Sequence, residues 1–292
     1  MPSSYLFVNG LRLHYLQWNL GNSRPAVLLH GLASNARIWE QVAPILAEAG
    51  LGVVAPDTRG HGLTDKPDDG YDFDTYFRDI SAFVDALGLE RPLLVGHSWG
   101  ATLALDYAAR LPVGPRSPAG IILVDGGVIQ LDQLPGASWE STRQRLEPPQ
   151  LAGMRLEELL RRLEHPGNKW QPDEAAIQIT LANFEISVDE TISPRLSYNH
   201  HMQIVRSMWE FKTHTRYEGL RCPALLVPAR PPQPLSPSEE QFLAAKELGI
   251  QFLTGRYKNM HVHWMDDSIH DIPLQRPFEL ANLILDFNRS IS

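Results

Sequence analysis

Ser98 is the residue whose surroundings most clearly indicate chemistry. Residues 93–95 form an apolar run typical of a buried strand, and residues 101–110 carry a helical pattern. Gly96 and Gly100 flank the serine, since a Cβ at either position would crowd the strand or helix. Such a tight turn presents the hydroxyl away from the sheet, with N–H groups of the helix start behind it. The pattern predicts a nucleophile, and the alternative is a serine that only caps the helix.

The elements that would position Ser98 alternate between strands and helices. Continuous apolar runs predict buried strands at 26–29, 52–57, 93–95, 120–124 and 224–227, and a weaker strand at 261–266. Helical patterns lie at 36–48, 74–88, 101–110, 238–248 and 277–289, and a hairpin is predicted at 5–18. This order predicts an α/β fold with a mostly parallel central sheet and helices on both faces.

The alternation stops after residue 126. Residues 127–215 hold helical patterns but no run typical of a buried strand. We interpret this segment as a helical cap inserted into a core formed by residues 1–126 and 216–292. Its large apolar side chains would mostly form its own core, and a few are expected to face Ser98. The candidate pocket residues are Trp209 and Met202.

Other motifs accompany the Ser98 turn: His30-Gly31 after the first buried strand, Asp57-x-Arg59-Gly60-x-Gly62, the inserted segment, and His270 before the last helix. Together they resemble the α/β-hydrolase superfamily over essentially the whole chain. Residues 62–67 look like the serine-nucleophile branch of esterases and lipase-like enzymes. Haloalkane dehalogenases and epoxide hydrolases share this architecture but use a carboxylate nucleophile, so Ser98 argues against both chemistries.

A serine nucleophile needs a general base, and His270 is the candidate. It follows the last predicted strand, in a segment similar to the histidine loop of the family, and the order fits Ser, acid, His. The competitors are His261 and His263, which share one face of a strand and could suggest a metal site. Without a third ligand at a suitable spacing, we interpret them as strand or surface histidines.

The acid of the triad is harder to place. The resemblance implies a carboxylate after the strand at 224–227, but residues 228–237 contain none, and the nearest equivalent is Gln233. Some family members carry the acid one core strand earlier, where this chain has Asp125. We therefore predict Asp125, against the alternatives that it only caps a turn or that the acid is Asp266 or Asp267.

The oxyanion hole requires two backbone N–H groups aimed at the developing negative charge. The turn supplies one from Trp99, and the resemblance implies that Leu32 supplies the other. We expect His30 to hold the Leu32 loop by hydrogen bonds and His97 to be structural.

Other polar residues and motifs suggest scaffolding rather than chemistry. Asp57, Arg59 and Asp65 are expected to tie down their own loop. No phosphate-binding loop or dinucleotide motif is present, so we expect no organic cofactor and no metal.

Composition limits the partners. The formal charge of −8 over 292 residues gives no indication of nucleic-acid or anionic-membrane binding. The single cysteine excludes an internal disulfide, and neither a signal peptide nor an apolar stretch of membrane-spanning length is apparent. We expect a cytoplasmic protein with a small-molecule substrate, and the sequence leaves the oligomeric state open.

These features predict a serine hydrolase that cleaves small, largely apolar carboxylic esters through an acyl-enzyme. The same triad could instead hydrolyse a C–C bond, a lactone, an amide or an N-terminal proline peptide. The last would need a cap carboxylate, for which Glu157, Glu158 and Glu185 are candidates. A third alternative is a non-catalytic small-molecule-binding protein on this fold, because no carboxylate follows the strand at 224–227, where the family usually carries the acid.

Overall fold

The computed structural model describes residues 3–21 and 24–291, so the outermost ends of the predicted core segments, residues 1–2 and 292, lie outside it. The strands of the described residues are β1 Ser3–Val8, β2 Leu11–Trp18, β3 Pro25–Leu29, β4 Gly52–Pro56, β5 Leu93–His97, β6 Gly120–Val124, β7 Phe184–Ile186, β8 Ile192–Pro194, β9 Ala224–Val227, β10 Ala229–Arg230, β11 Met260–Val262 and β12 Met265–Asp266. The helices are α1 Ala43–Glu48, α2 Phe73–Ala86, α3 Trp99–Arg110, α4 Trp139–Leu146, α5 Leu156–Leu163, α6 Glu174–Leu181, α7 Tyr198–Glu210, α8 Thr213–Gly219, α9 Pro237–Thr254, α10 Ile272–Gln275 and α11 Pro277–Ser290, with short 3₁₀ turns at Ala36–Trp39 and Leu131–Gln133.

The central sheet has eight strands in the order β1-β2-β4-β3-β5-β6-β9-β11. β1 and β2 pair antiparallel, as do β2 and β4, and the other neighbours are parallel. Strands β4, β5 and β6 are buried along their whole length, which explains their continuous apolar runs. Helices cover both faces and enclose two apolar clusters. The predicted mostly parallel α/β architecture is confirmed.

The predicted hairpin is present, and two of the predicted helices differ from those in the structure. The hairpin turns at Asn9 and Gly10, which both have positive φ, as a two-residue turn requires. The helix expected at 36–48 is a 3₁₀ turn followed by α1, and Pro44 stands in the first turn of α1. Helix α9 runs beyond its predicted end, and its start is fixed by a capping box between Ser236 and Glu239.

The segment between β6 and β9 is mainly helical. It holds α4 to α8, of which α4 and α8 were not predicted, together with the short hairpin β7–β8. This hairpin is only partly buried, so it lacks the apolar run by which a core strand is recognised. The segment leaves the sheet at the carboxyl end of β6, beside Ser98, and the cap interpretation stays a prediction.

Candidate active site

Ser98 stands on a strained turn between β5 and α3. Its φ of 55° and ψ of −118° lie where few residues other than glycine are found. The turn is tight because neighbouring backbone passes very close to it. A Cβ on Gly96 would lie 2.2 Å from the Gly100 carbonyl oxygen, and one on Gly126 would lie 2.0 Å from the Ser98 carbonyl oxygen. The sharp turn keeps the serine at the sheet edge.

Asp125 reaches the same edge from the neighbouring strand. His97 at the end of β5 pairs with Val124 at the end of β6, so the two strands deliver Ser98 and Asp125 side by side. The Ser98 N–H donates to the Val124 carbonyl at 2.8 Å and locks this register. Asp125 has a φ of 44°, a conformation that aspartate tolerates better than most residues.

His270 joins the two. Its Nδ1–H donates to Asp125 Oδ2 at 2.6 Å, and its Nε2 lies 2.9 Å from Ser98 Oγ, where it can accept the hydroxyl proton. His97 Nε2–H donates to the His270 carbonyl at 2.9 Å and holds the histidine loop against β5. The structure therefore brings the three predicted triad residues into one hydrogen-bonded chain, and His97 has the structural position expected of it.

The Asp125 carboxylate is buried and surrounded by donors. The Ala229 N–H and the Lys246 ammonium both donate to Oδ1 at 2.9 Å. Burial disfavours ionisation, but the hydrogen bond from His270 and the positive charges of His270 and Lys246 outweigh it. The pKa of Asp125 is therefore held well below its usual range. Asp125 is therefore an anion at neutral pH.

The negative charge of Asp125 affects the pKa of His270. Desolvation favours neutral His270, but the hydrogen bond and negative charge of Asp125 outweigh it and raise the pKa of His270 above its ordinary value. About half of the His270 side chain remains exposed, so solvent screens part of this effect. Burial and the charge of His270 lower the pKa of the adjacent His97 to about 4, so His97 is neutral in the working range.

The loop that carries Leu32 is held by two buried histidines. His30 Nδ1–H donates to the Gly31 carbonyl at 2.8 Å, and its Nε2 accepts the Thr58 N–H at 3.0 Å. His61 Nε2 accepts the Ala33 N–H at 3.3 Å. The predicted role of His30 in holding this loop is confirmed.

The two predicted oxyanion donors lie on either side of Ser98. A Cβ on Gly31 would be 3.2 Å from Ser98 Cβ, so the backbone before Leu32 passes directly beside the serine. Trp99 is the first residue of α3, where an N–H has no helical acceptor. Its indole is buried against His61, with ring centroids 5.4 Å apart. The donor roles of Leu32 and Trp99 stay predictions.

A cavity of about 450 Å³ opens above the serine. Its lining is mostly apolar, with the triad at one side, and includes Trp99, Val128, Ile129, Leu131, Leu146, Met208, Phe211, Phe242, Leu243 and Ile269. This volume and composition suit a small, largely apolar ligand.

The predicted pocket residues Met202 and Trp209 are wrong, since neither is among the residues lining this cavity. Met202 borders a separate surface depression beside Tyr71. The reason is helical register: α7 packs inward through His201, Ile204 and Val205, and Met208 continues that stripe. Met202 and Trp209 are rotated by about 100° or more from Met208 and fall outside it.

The alternative acids lie apart from the triad. Asp266 pairs with Arg230, and the exposed Asp267 receives a hydrogen bond from Arg276 on its carbonyl. His261 and His263 are exposed at the sheet edge. Within residues 3–21 and 24–291, no group of three or more potential metal ligands comes together.

The candidate cap carboxylates do not line the cavity. Each forms an ion pair instead: Glu157 with Arg161, Glu158 with Arg162, and Glu185 with Arg195. Asp57, Arg59 and Asp65 have the structural positions predicted for them. Asp57 accepts the Ala36 and Leu63 N–H groups, Arg59 pairs with Asp79, and Asp65 accepts the Arg12 N–H.

Lys246 is the residue of the site that the sequence reasoning missed. It lies on the buried stripe of α9, with Gly249, Ile250 and Leu253. The spacing of this stripe is i, i+3, i+4 and i+7, and a lysine at its first position was the available signal. A lysine on a buried stripe requires a charged partner.

Among the described residues, none of the helices combines the length and apolarity that a bilayer span requires.

Comparison with known proteins gives one family and partial relatives. A soluble epoxide hydrolase from Corynebacterium sp. (strain C12) is 40% identical over 101 residues, which are 35% of this chain and 34% of the relative. A non-heme chloroperoxidase from Streptomyces lividans is 33% identical over 114 residues, 39% of this chain and 41% of the relative. The chain thus matches less than half the length of either.

Structural similarity extends much further than these sequence matches. The crystal structure of E-2-(acetamidomethylene)succinate hydrolase is similar over 99% of both chains, with a TM-score of 0.78 and 20% identity. At that identity the likeness shows the fold alone. The model described as "Alpha/beta hydrolase family" matches residues 26–283. Because this match covers most of the chain, the protein belongs to the alpha/beta hydrolase family.

Proposed function

We propose that this protein is a serine hydrolase that cleaves small, largely apolar carboxylic esters. The observation that carries the proposal is the continuous chain from Ser98 Oγ through His270 to the buried Asp125 carboxylate, at the side of an apolar cavity. Such an arrangement makes a serine hydroxyl nucleophilic at neutral pH. The cavity has room for one small ester and few polar groups that would require a highly polar substrate.

The reaction follows from the hydrogen bonds. Ser98 Oγ attacks the ester carbonyl while its proton passes to His270 Nε2, and Asp125 stabilises the resulting imidazolium. The carbonyl oxygen, now negatively charged, is held by the N–H groups of Leu32 and Trp99. When the tetrahedral intermediate collapses, His270 protonates the leaving alcohol oxygen and an acyl-enzyme remains. Water then gives a proton to His270 and attacks the acyl carbon. As the second tetrahedral intermediate collapses, the bond from the acyl carbon to Ser98 Oγ breaks, His270 returns the proton to Oγ, and the acid is released.

The type of nucleophile supports this reaction over the one named for the epoxide hydrolase relative. In enzymes of that type the family pattern has a carboxylate at the turn, and this chain has Ser98. Cleavage of an N-terminal proline peptide needs an anionic group for the free amine. Glu239 lines the cavity, but Lys169 and the α9 cap already use its carboxylate. Ester hydrolysis is therefore the favoured reaction.

A fluorophosphonate probe tests the nucleophile directly. We expect covalent labelling of Ser98 in the native chain and none in Ser98→Ala. The matched control is Ser138→Ala, because Ser138 caps α4 at an exposed site and should leave labelling unchanged. A folded protein that does not react would contradict the proposal and favour a non-catalytic binding protein.

A substrate panel tests the scissile bond. We expect p-nitrophenyl esters of short acids to be hydrolysed, with turnover reduced about 10⁴-fold or more in Ser98→Ala. Lactones, proline amides and a C–C substrate are assayed beside them. Preference for one of these over every ester, by kcat/KM, would overturn the ester assignment while keeping Ser98 as nucleophile.

A further inference from the structure

Lys246 lies at the centre of a closed set of hydrogen bonds behind the triad. Its ammonium donates to Asp125 Oδ1 at 2.9 Å and to the Ala229 carbonyl at 2.5 Å. The side chains of Lys246 and Asp125 are only 7% and 5% exposed, so both charges are largely removed from water. Burying an ion pair is costly and seldom adds stability by itself. This cost suggests that the pair has a role beyond folding.

The two carboxylate oxygens of Asp125 have different donors. Oδ1 receives the Lys246 ammonium and the Ala229 N–H, whereas the donor to Oδ2 among the described residues is His270 Nδ1–H. Two donors on one oxygen fix the rotation of the carboxylate, and the other oxygen then points at the imidazole. Without the ammonium, the Ala229 N–H alone would hold this orientation.

Lys246 also affects how strongly His270 holds its proton. Asp125 stabilises the imidazolium form of His270, and a second cation beside the same carboxylate opposes that effect. The His97 ring on β5 lies 4.9 Å from the His270 ring, and the negative charge of the neighbouring Asp271 also acts on His270. Glu239 lines the same cavity as Lys246. Lys246 is therefore the cation that binds Asp125 Oδ1, while His270 binds Oδ2.

We propose that Lys246 is a positioning residue of this site: it fixes the Asp125 carboxylate toward His270 and limits how strongly Asp125 holds His270 in its protonated form. The proposal rests on the hydrolase assignment above and deepens it. Its sign is definite. Removing the ammonium leaves a less neutralised carboxylate beside His270, which then keeps its proton to higher pH, and the orientation of Oδ2 loosens.

The test uses Lys246→Met, which keeps the unbranched apolar part of the side chain and removes the ammonium and its charge. In the pH profile of kcat/KM, the acidic limb should lie about one pH unit higher than in the native chain. The plateau should fall about tenfold or more, because Oδ2 no longer holds the imidazole in place. Lys212→Met is the matched control, since Lys212 forms an exposed ion pair with Asp132, and it should move neither quantity.

Two further measurements separate the possible failures. NMR titration of the imidazole resonance that is lost in His270→Gln reads the same shift without any turnover, so it tests Lys246 even if the native chain hydrolyses nothing. Lys246→Gln is the second variant in case the methionine variant does not fold, and it keeps a donor without the charge. An upward shift in His270 titration supports the proposal. An unchanged or lower titration point in the folded variants overturns it, whatever happens to the plateau.

Discussion

Replacing Asp125 by Asn is the sharpest test of the triad, because the structure dictates how the amide must lie. Oδ1 of the native side chain accepts from Lys246 and from the Ala229 N–H. The amide oxygen must keep both bonds, since an amide NH₂ there would face two donors. The NH₂ group then faces His270 Nδ1, which has to become an acceptor. The proton moves to Nε2, and His270 can no longer take the proton of Ser98.

The expected loss follows from this tautomer change. A base held in the wrong tautomer costs about 10⁴-fold in kcat. At about 1.4 kcal/mol per factor of ten, this corresponds to about 5.5 kcal/mol of transition-state stabilisation. Asn tolerates the positive φ at this position, so the backbone adds no strain. The neutral amide leaves Lys246 without its counter-charge, and we expect the free energy of unfolding to fall by about 3 kcal/mol.

The assay is p-nitrophenyl ester hydrolysis at pH 8, with folding checked by circular dichroism and stability by urea denaturation. Asp267→Asn is a matched control, because Asp267 also has a positive φ, is exposed, and undergoes the same chemical change. It should retain activity within about twofold, as surface substitutions usually do. Turnover of Asp125→Asn within tenfold of the native chain would show that this carboxylate does not orient the base.

Three further outcomes are expected. Because Asp125 raises the pKa of His270 and turnover needs the neutral imidazole, kcat/KM should rise with pH through a limb above 6.5, and a limb below 6 would contradict this. Phe242 lines both the cavity beside Ser98 and a second cavity of about 380 Å³, so Phe242→Ala should raise the ratio of octanoate to butyrate ester hydrolysis several-fold. Met202→Ala, at a separate depression, should leave this ratio unchanged. The same ratio in Phe242→Ala and the native chain would refute the role of Phe242 as a wall between the two cavities. Gly96→Ala places a Cβ 2.2 Å from the backbone of the following helix, so its midpoint of thermal unfolding should fall by several degrees or more, and an unchanged midpoint would refute the close packing.

The grouping of Ser98 and Asp125 could be predicted because parallel strands deliver their carboxyl ends to a common edge. The apolar runs locate the ends of β5 and β6, and these strands pair in the sheet, so Ser98 and Asp125, which follow them, lie side by side. His270 was identified by its place before the last helix, which resembles the family pattern. Strand ends and chain order carry part of these inferences, and the resemblance to the family carries the choice of Asp125 and His270.

The residues that line the cavity could not be predicted from the ends of the strands. Which side of α7 faces Ser98 depends on how that helix packs, and the buried stripe through Ile204 and Val205 decides it. Large apolar side chains occur on both sides of this helix, so size alone favoured Met202 and Trp209 as much as Met208. The stripe was visible in the sequence, but its direction in space comes from tertiary contacts.

Asp125 and Lys246 are best understood as one arrangement. The family pattern implies an acid after β9, and at that place this chain supplies the Ala229 N–H, which donates to Asp125 Oδ1. In this chain a buried carboxylate follows β6 and bonds to the segment after β9, and Lys246 from α9 bonds to both. The sequence could show that Lys246 needed an anion, because it lies on a buried stripe. Which anion it would meet depends on how α9 packs against the ends of β6 and β9, and that contact is made only in the folded chain.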